Sequence, residues 1–189
     1  AAPQHPVYIG HRGGHTAYVN SLALARLGIT EKSPDPAGGA YGRDPATGRL
    51  TGRLMERAIE PFEKVIPAFG EFTRDEGRKA VKLISEMLAR SGITSATDAY
   101  GEPGDLRAYQ DAYESGDLKT RIYCMVGSPH IDQMLAAGVR TGLGNEWVRV
   151  GGMKMTCDGS ISERTARLSQ PYVGRPDDFG MIVTGEDEL

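Results

Sequence analysis

Apolar and polar residues follow two rhythms along this chain, and the change between them predicts its organisation. Near the start, "PVYIG" is a short apolar, β-branched run that reads as a strand, and it leads into "HRGGHTAYV", a glycine-rich turn between two histidines. "NSLALARLGI" has Asn20 or Ser21 as N-cap, Leu22, Leu24 and Leu27 as its apolar positions and Gly28 as its stop, which predicts a short helix. From Ser33 to Gly52 the chain is dense in Gly, Pro and Asp, and "GAYGRD" and "GRLTGRL" flanking "PATG" predict a small hairpin. "LMERAIEPFEKVIP" carries a helical pattern that Pro61 limits.

From Thr73 onward the rhythm becomes regular. "TRDEGRKAVKLISEMLARSG" opens with Thr73 and Glu76 as a capping box, sets Ala80, Val81, Ile84, Met87 and Leu88 on one face, and stops at Gly92. A strand "ITSATDA", a helix "DLRAYQDAYESG", a strand "RIYCMVG", a helix "HIDQMLAAG" and a strand "WVRVGGMKMT" follow with short connections. Such alternation predicts a parallel sheet, and open doubly wound sheets and closed barrels satisfy it equally. A full (β/α)8 barrel takes about 250 residues, so the barrel reading is of a part: an α/β fold with about three barrel strands and their helices. On the barrel reading the boundary falls at 72/73, with residues 1–72 as an inserted strand, short helix and hairpin subdomain and residues 73–189 as the partial TIM-barrel segment. "AAPQHPVYIG" and "GEDEL" read as internal stretches, so a piece of a longer protein is expected.

Composition narrows the partners. The chain has 189 residues and a net charge of −3, with 39% apolar and 25% charged residues. A nearly balanced charge gives no footprint for nucleic acid or an anionic membrane, and no apolar run approaches the roughly 18 residues of a membrane span. A small-molecule partner is expected. Cys124 and Cys157 are far apart and lack a CxxC partner, which reads as free thiols in a reduced, cytoplasmic protein.

Candidate chemistry belongs at the carboxyl ends of the parallel strands. Three of these ends are polar: Thr97 with Asp98, Ser128 with His130, and Lys154 through Asp158. Alternation sets Val148, Val150, Gly152 and Lys154 on one face of the last strand, toward the barrel interior, and Arg149, Met153 and Met155 on the other, under the helices. On this reading Gly152 clears room for the lysine stem. Lys154 has three physical readings: an ion pair with Asp158 or Asp98, a desolvated amine forming a Schiff base with a carbonyl substrate, or an amine that captures carbon dioxide and bridges metals as a carbamate.

"PVYIGHRGGHTAYVNSLALARLGI", "GRLTGRLMERA", "ARSGITSATDA" and "GGMKMTCDGSISERTARLSQPY", in this order, resemble the YtcJ-like branch of the amidohydrolase superfamily, which contains N-substituted formamide deformylase. The resemblance implies a distorted (β/α)8 barrel carrying one or two divalent metals, most often zinc, that activate a hydroxide to attack an amide or formamide C–N bond. It maps the carbamylated, metal-bridging lysine of K-x-x-x-DG-S onto Lys154, with Asp158 and Gly159 completing the motif. It further implies a His-x-His pair upstream of these residues, and two histidines and an aspartate downstream of them. The isolated chain is accordingly expected to have little or no activity.

None of His5, His11, His15 and His130 forms His-x-His, and the glycines between His11 and His15 argue against the helix that metal ligation at that spacing needs. Two readings stand for "HRGGH": a loop whose His15, and less directly His11, contacts substrate, or a tight turn with partly exposed imidazoles. Arg164 and Thr165 in "ERTARL" read either as binders of a substrate carboxylate or carbonyl or as a surface turn. Asp98 reads as a structural hydrogen-bond acceptor, and Cys157 as buried filler or a thiol near metal. Two other function classes remain beside the hydrolase: a Schiff-base lyase using Lys154, and a non-catalytic scaffold whose open sheet edge is covered by homo-oligomerisation.

Overall fold

The computed structural model describes residues 2–65 and 73–188, which form two compact units. One holds residues 2–65 and 156–188; the other holds residues 73–155. This division differs from a single boundary at 72/73, because the residues that follow the last parallel strand group with the N-terminal segment. Among the described residues no helix is long and apolar enough to cross a membrane.

In the first unit, β1 (Tyr8–Gly10) and β2 (Thr16–Val19) pair antiparallel around the "HRGGH" turn. β2 escaped the sequence reading because a four-residue strand offers only two alternations, although Ala17 and Val19 are buried and Tyr18 is exposed. Helix α1 (Ser21–Arg26) is capped by Asn20, which accepts from the Ala23 N–H at 3.0 Å. The same side chain accepts from the Val7 N–H and donates to the His5 carbonyl, tying the chain start to the helix. The hairpin of β3 (Gly39–Arg43) and β4 (Leu50–Glu56) forms as the turn signal predicts, with Asp44 Oδ1 accepting from Ala46 N and Thr47 N in the connection. The helical pattern after it is mostly overridden. Leu54 to Glu56 stay in β4, and α2 (Glu60–Glu63) has only four residues with Pro61 in its first turn. Ile66 and Pro67 of that pattern lie outside the described residues.

The sheet order is β1-β2-β4-β3. Its core is built from Ala17, Val19, Leu24, Tyr41, Leu54, Ile59 and Phe62. Residues 156–188 follow an irregular course held by backbone bonds, among them Leu168 N–H to the Phe179 carbonyl and Met181 N–H to the Thr165 carbonyl, each at 2.9 Å. Two arginines join this segment to the sheet: Arg53 donates to the Glu163 carbonyl, and Arg57 pairs with Glu188.

In the second unit, α3 (Arg74–Arg90) begins with the predicted capping box, Thr73 N–H to Glu76 and Glu76 N–H to the Thr73 hydroxyl. Its buried stripe is rotated from the predicted one. Val81 and Ser85 are buried, whereas Ile84 and Met87 are 44% and 55% exposed. Ser85 sets the rotation: its hydroxyl accepts from Lys119 N–H and its carbonyl accepts from the buried Thr120 hydroxyl, docking that helix face on the approach to β6. The unit continues with β5 (Ser95–Gly101), α4 (Pro103–Glu114), β6 (Arg121–Gly127), α5 (Ile131–Ala136) and β7 (Val148–Lys154).

The three strands are parallel in the order β5-β6-β7, as the alternation predicts. Ile122, Cys124, Val126 and Val148 pack with Val81 and Ala112 of the helices. Arg121, Tyr123 and Arg149 occupy the uncovered face. The outer edge of β7 is covered by its own preceding loop, through Gly142 N–H to the Val150 carbonyl and Val150 N–H to the Leu143 carbonyl, both at 2.8 Å.

Candidate functional site

The turn between β1 and β2 presents two imidazoles, and each meets a different buried carboxylate. His15 Nδ1 lies 2.9 and 3.1 Å from the two oxygens of Glu56, the last residue of β4. The Glu56 side chain is 4% exposed and that of His15 is 27% exposed, so the ring stands outward with the carboxylate behind it. Glu56 also donates its backbone N–H to the His15 carbonyl at 3.0 Å. His11 Nδ1 lies 3.1 Å from Glu163 Oε2 and accepts from the Gly13 N–H. Neither oxygen of Glu163 makes a directed hydrogen bond, so this second pair is close approach without one.

The turn after the second unit reaches the same group. Asp158 accepts from the Arg167 N–H at 2.9 Å and bridges Ile182. Thr165 is fully buried, and its hydroxyl accepts from the Ser160 N–H at 2.9 Å, so it closes the turn from inside. Arg164 is exposed. A methyl group at Gly159 would fall on the Thr165 side chain and on Glu56 Oε1, so a bare backbone is required there. Glu56 and Arg164 are the two non-glycine residues with left-handed backbones, φ 51° and 59°, among those described. Sterically costly conformations of this kind concentrate where surrounding structure over-determines them. His11, His15, Asp158, Arg164 and Thr165 thus all lie in the first unit, and the structure adds Glu56, Glu163 and Arg53. The sequence reading missed the two glutamates, since nothing in "GRLMERA" or "SISERTARL" pairs them with histidines 41 and 152 positions away.

Lys154 ends β7 in the second unit, and its orientation has a different cause from strict alternation. Val148 and Val150 are buried toward the helices, the reverse of the predicted facing, and Arg149 is on the uncovered side. Cys124 pairs with Val150 and Val126 with Met153, so two residues of β7 stand opposite one of β6. This bulge at Gly151 and Gly152 resets the alternation. Met153 then shares the Val126 side while remaining 42% exposed, and half-buried Lys154 pairs with Gly127 on the opposite side. Gly152 is not needed for space, since a methyl group there would touch nothing.

Asp98 is excluded as a partner of Lys154. It pairs with Cys124 in the sheet register and its carboxylate accepts from the Tyr109 hydroxyl at 2.8 Å, a structural bond as predicted. Burial, and then this carboxylate, raise the Tyr109 hydroxyl's pKa and push the Cys124 thiol up to about 12. Cys157 is exposed rather than buried filler, and neither cysteine is in a disulfide. A pocket of about 350 Å³, with Ser95, Thr97, Arg121, Tyr123, Asn145 and Arg149 in its lining, lies at the strand beginnings, the end remote from Lys154. Among the described residues no three His, Cys, Asp or Glu side chains are grouped to hold a metal ion, so these residues supply at most part of such a centre.

A family model described as "Amidohydrolase family" matches residues 1–188. The chain belongs to this family. It is 30% identical to YtcJ of Bacillus subtilis over 99% of its own length and 35% of that protein's. It is 26% identical to N-substituted formamide deformylase of Arthrobacter pascens over 72% of the chain and 25% of that enzyme. The crystal structure of a metal-dependent hydrolase from Pyrococcus horikoshii matches all of it with a TM-score of 0.65 and 27% identity, over 36% of that protein. The α/β architecture is therefore that of part of an amidohydrolase TIM barrel, and the chain spans about a third of the length of such relatives.

Proposed function

We propose that the protein is a metal-dependent hydrolase of a C–N bond in an amide or formamide, in which Lys154 serves as a carbamylated metal ligand. The observation that carries this reading is the position of Lys154. It is the last residue of a parallel strand, set beside Gly127 and turned by a bulge away from the helices that cover the sheet. A neutral lysine amine captures carbon dioxide and so becomes a carboxylate-like donor at that strand end. A bound divalent metal, with zinc expected, would activate water and polarise the scissile carbonyl. The other ligands are not assembled by the described residues. The formamide deformylase among the relatives makes N-formyl amines the first substrates to examine.

The test is substitution of Lys154 in the full gene product, assayed on a panel of N-formyl and N-acyl amines. Lys154→Ala is expected to abolish hydrolysis and lower bound metal, and short carboxylic acids are expected to restore part of both by standing in for the carbamate. Retention of full activity and metal in Lys154→Ala overturns the assignment.

A further inference from the structure

A glutamate behind a partly exposed imidazole has a chemical consequence that depends on which ring nitrogen it meets. Both oxygens of Glu56 face His15 Nδ1. An ionised carboxylate only accepts hydrogen bonds, so the form of a neutral imidazole that satisfies this contact carries its proton on Nδ1 and its lone pair on Nε2. Carboxylate–imidazole pairs of this form fix both tautomer and ring orientation wherever they occur.

The pair is held more firmly than a surface contact requires. Glu56 is joined to His15 twice, by its side chain and by its backbone N–H to the His15 carbonyl. β2 and β4 pair at Thr16 and Met55, the neighbours of both residues. Gly159, with no side chain, lets the Glu56 carboxylate fit beneath the following turn. The Glu56 backbone is left-handed, a conformation that a charged side chain adopts only when its surroundings demand it. The whole arrangement aims one partly exposed ring while hiding the group that aims it.

We infer that Glu56 is a positioning residue that locks His15 in the Nδ1–H form, so that His15 offers its Nε2 lone pair to a hydrogen-bond donor of the substrate, the N–H of a secondary amide or formamide. The substrate class rests on the hydrolase reading above; the tautomer does not.

Two measurements test it separately. In the 15N-labelled 189-residue chain, long-range proton–nitrogen spectra above the imidazole titration are expected to show Nδ1 protonated and Nε2 bare for His15. Glu56→Ala should return the ring toward the Nε2–H form that free imidazole prefers. Should that variant fail to fold, Glu56→Gln, which keeps an acceptor oxygen but loses the charge, should give a mixture. An Nε2–H ring in the wild type, or an unchanged tautomer in the folded Glu56 variants, overturns the inference. In the full gene product, His15→Gln is expected to raise KM for a secondary amide by roughly tenfold, the loss of one hydrogen bond to a substrate. A tertiary amide should be affected much less, and Glu56→Gln should add little to His15→Gln. Equal effects on both amides overturn the substrate contact. Absence of any amide hydrolysis, with the tautomer as expected, overturns the hydrolase reading and leaves the positioning role of Glu56 standing.

Discussion

Gly159 is the position in the first unit where one added methyl group meets both sides of the candidate site. Its missing Cβ would fall on the buried Thr165 side chain and on the Glu56 carboxylate, neither of which has free space to retreat into. Gly159→Ala is expected to destabilise the chain by about 1–3 kcal/mol, the usual range for overpacking a closed site. A fall in the urea midpoint at unchanged m-value checks it. At this scale the sequence showed reactive residue types but not their partners. His11 and His15 were visible as chemistry because two histidines flank a glycine pair. Glu56 and Glu163 were not, because a carboxylate becomes a histidine's partner only through a long-range sheet register and a folded turn. Thr165 was visible as a polar residue after an arginine, yet its hydroxyl is consumed inside its own turn.

At the scale of elements, caps translated directly, since Asn20 and Thr73 with Glu76 perform the local bonds their positions predict, and the expected hairpin turn is closed by Asp44. Periodicity failed where a tertiary contact or an extra residue intervened. The buried stripe of α3 follows Ser85, a polar residue that no apolar pattern would select, and β7 changes parity at its bulge. The packing of α3 also carries an acid-sensitive anchor. Asp117, after α4, receives hydrogen bonds from Lys82 and Arg78 of α3. The Lys82 hydrogen bond first, with Ser115 and Arg78 adding to it, holds the Asp117 carboxyl below the usual carboxylate range despite its desolvation. A depressed folded pKa contributes stability that is complete above the unfolded value, about 4, and is lost as pH falls through the lower folded value. Asp117→Asn is therefore expected to be less stable than the wild type at pH 7, with the gap closing below about pH 4. Denaturation midpoints of both chains across this range check the sign. A gap that is constant with pH would mean that the charge is not what anchors the helix.

At the scale of the whole molecule, the alternation of helix and strand was enough to foretell the parallel sheet, because local signals repeat at a fixed spacing there. The grouping of residues 156–188 with the N-terminal sheet was not legible, since those residues carry no periodic pattern and are tied by single backbone bonds to distant partners. The parallel sheet also bears on association. Its two edges are treated differently: β7 is screened by the loop at residues 142–145, whereas the described residues place no strand beside the outer edge of β5. The face beside that edge is also uncovered, with Tyr123 exposed by 37%. An unpaired edge next to exposed apolar surface is a template for another chain. The 189-residue chain by itself is therefore expected to self-associate as concentration rises, through β5 rather than β7. Sedimentation velocity over a concentration series should show a reversible shift to a dimer. Thr97→Lys sets a charge on the exposed face of the β5 edge, the device natural sheets use against edge pairing, and should return the chain to monomer without changing its unfolding midpoint at low concentration. A matching lysine in the screened stretch, Leu143→Lys, should leave the dimer intact; if it alone dissolves the dimer, the contact runs through the loop over β7 and the edge argument fails.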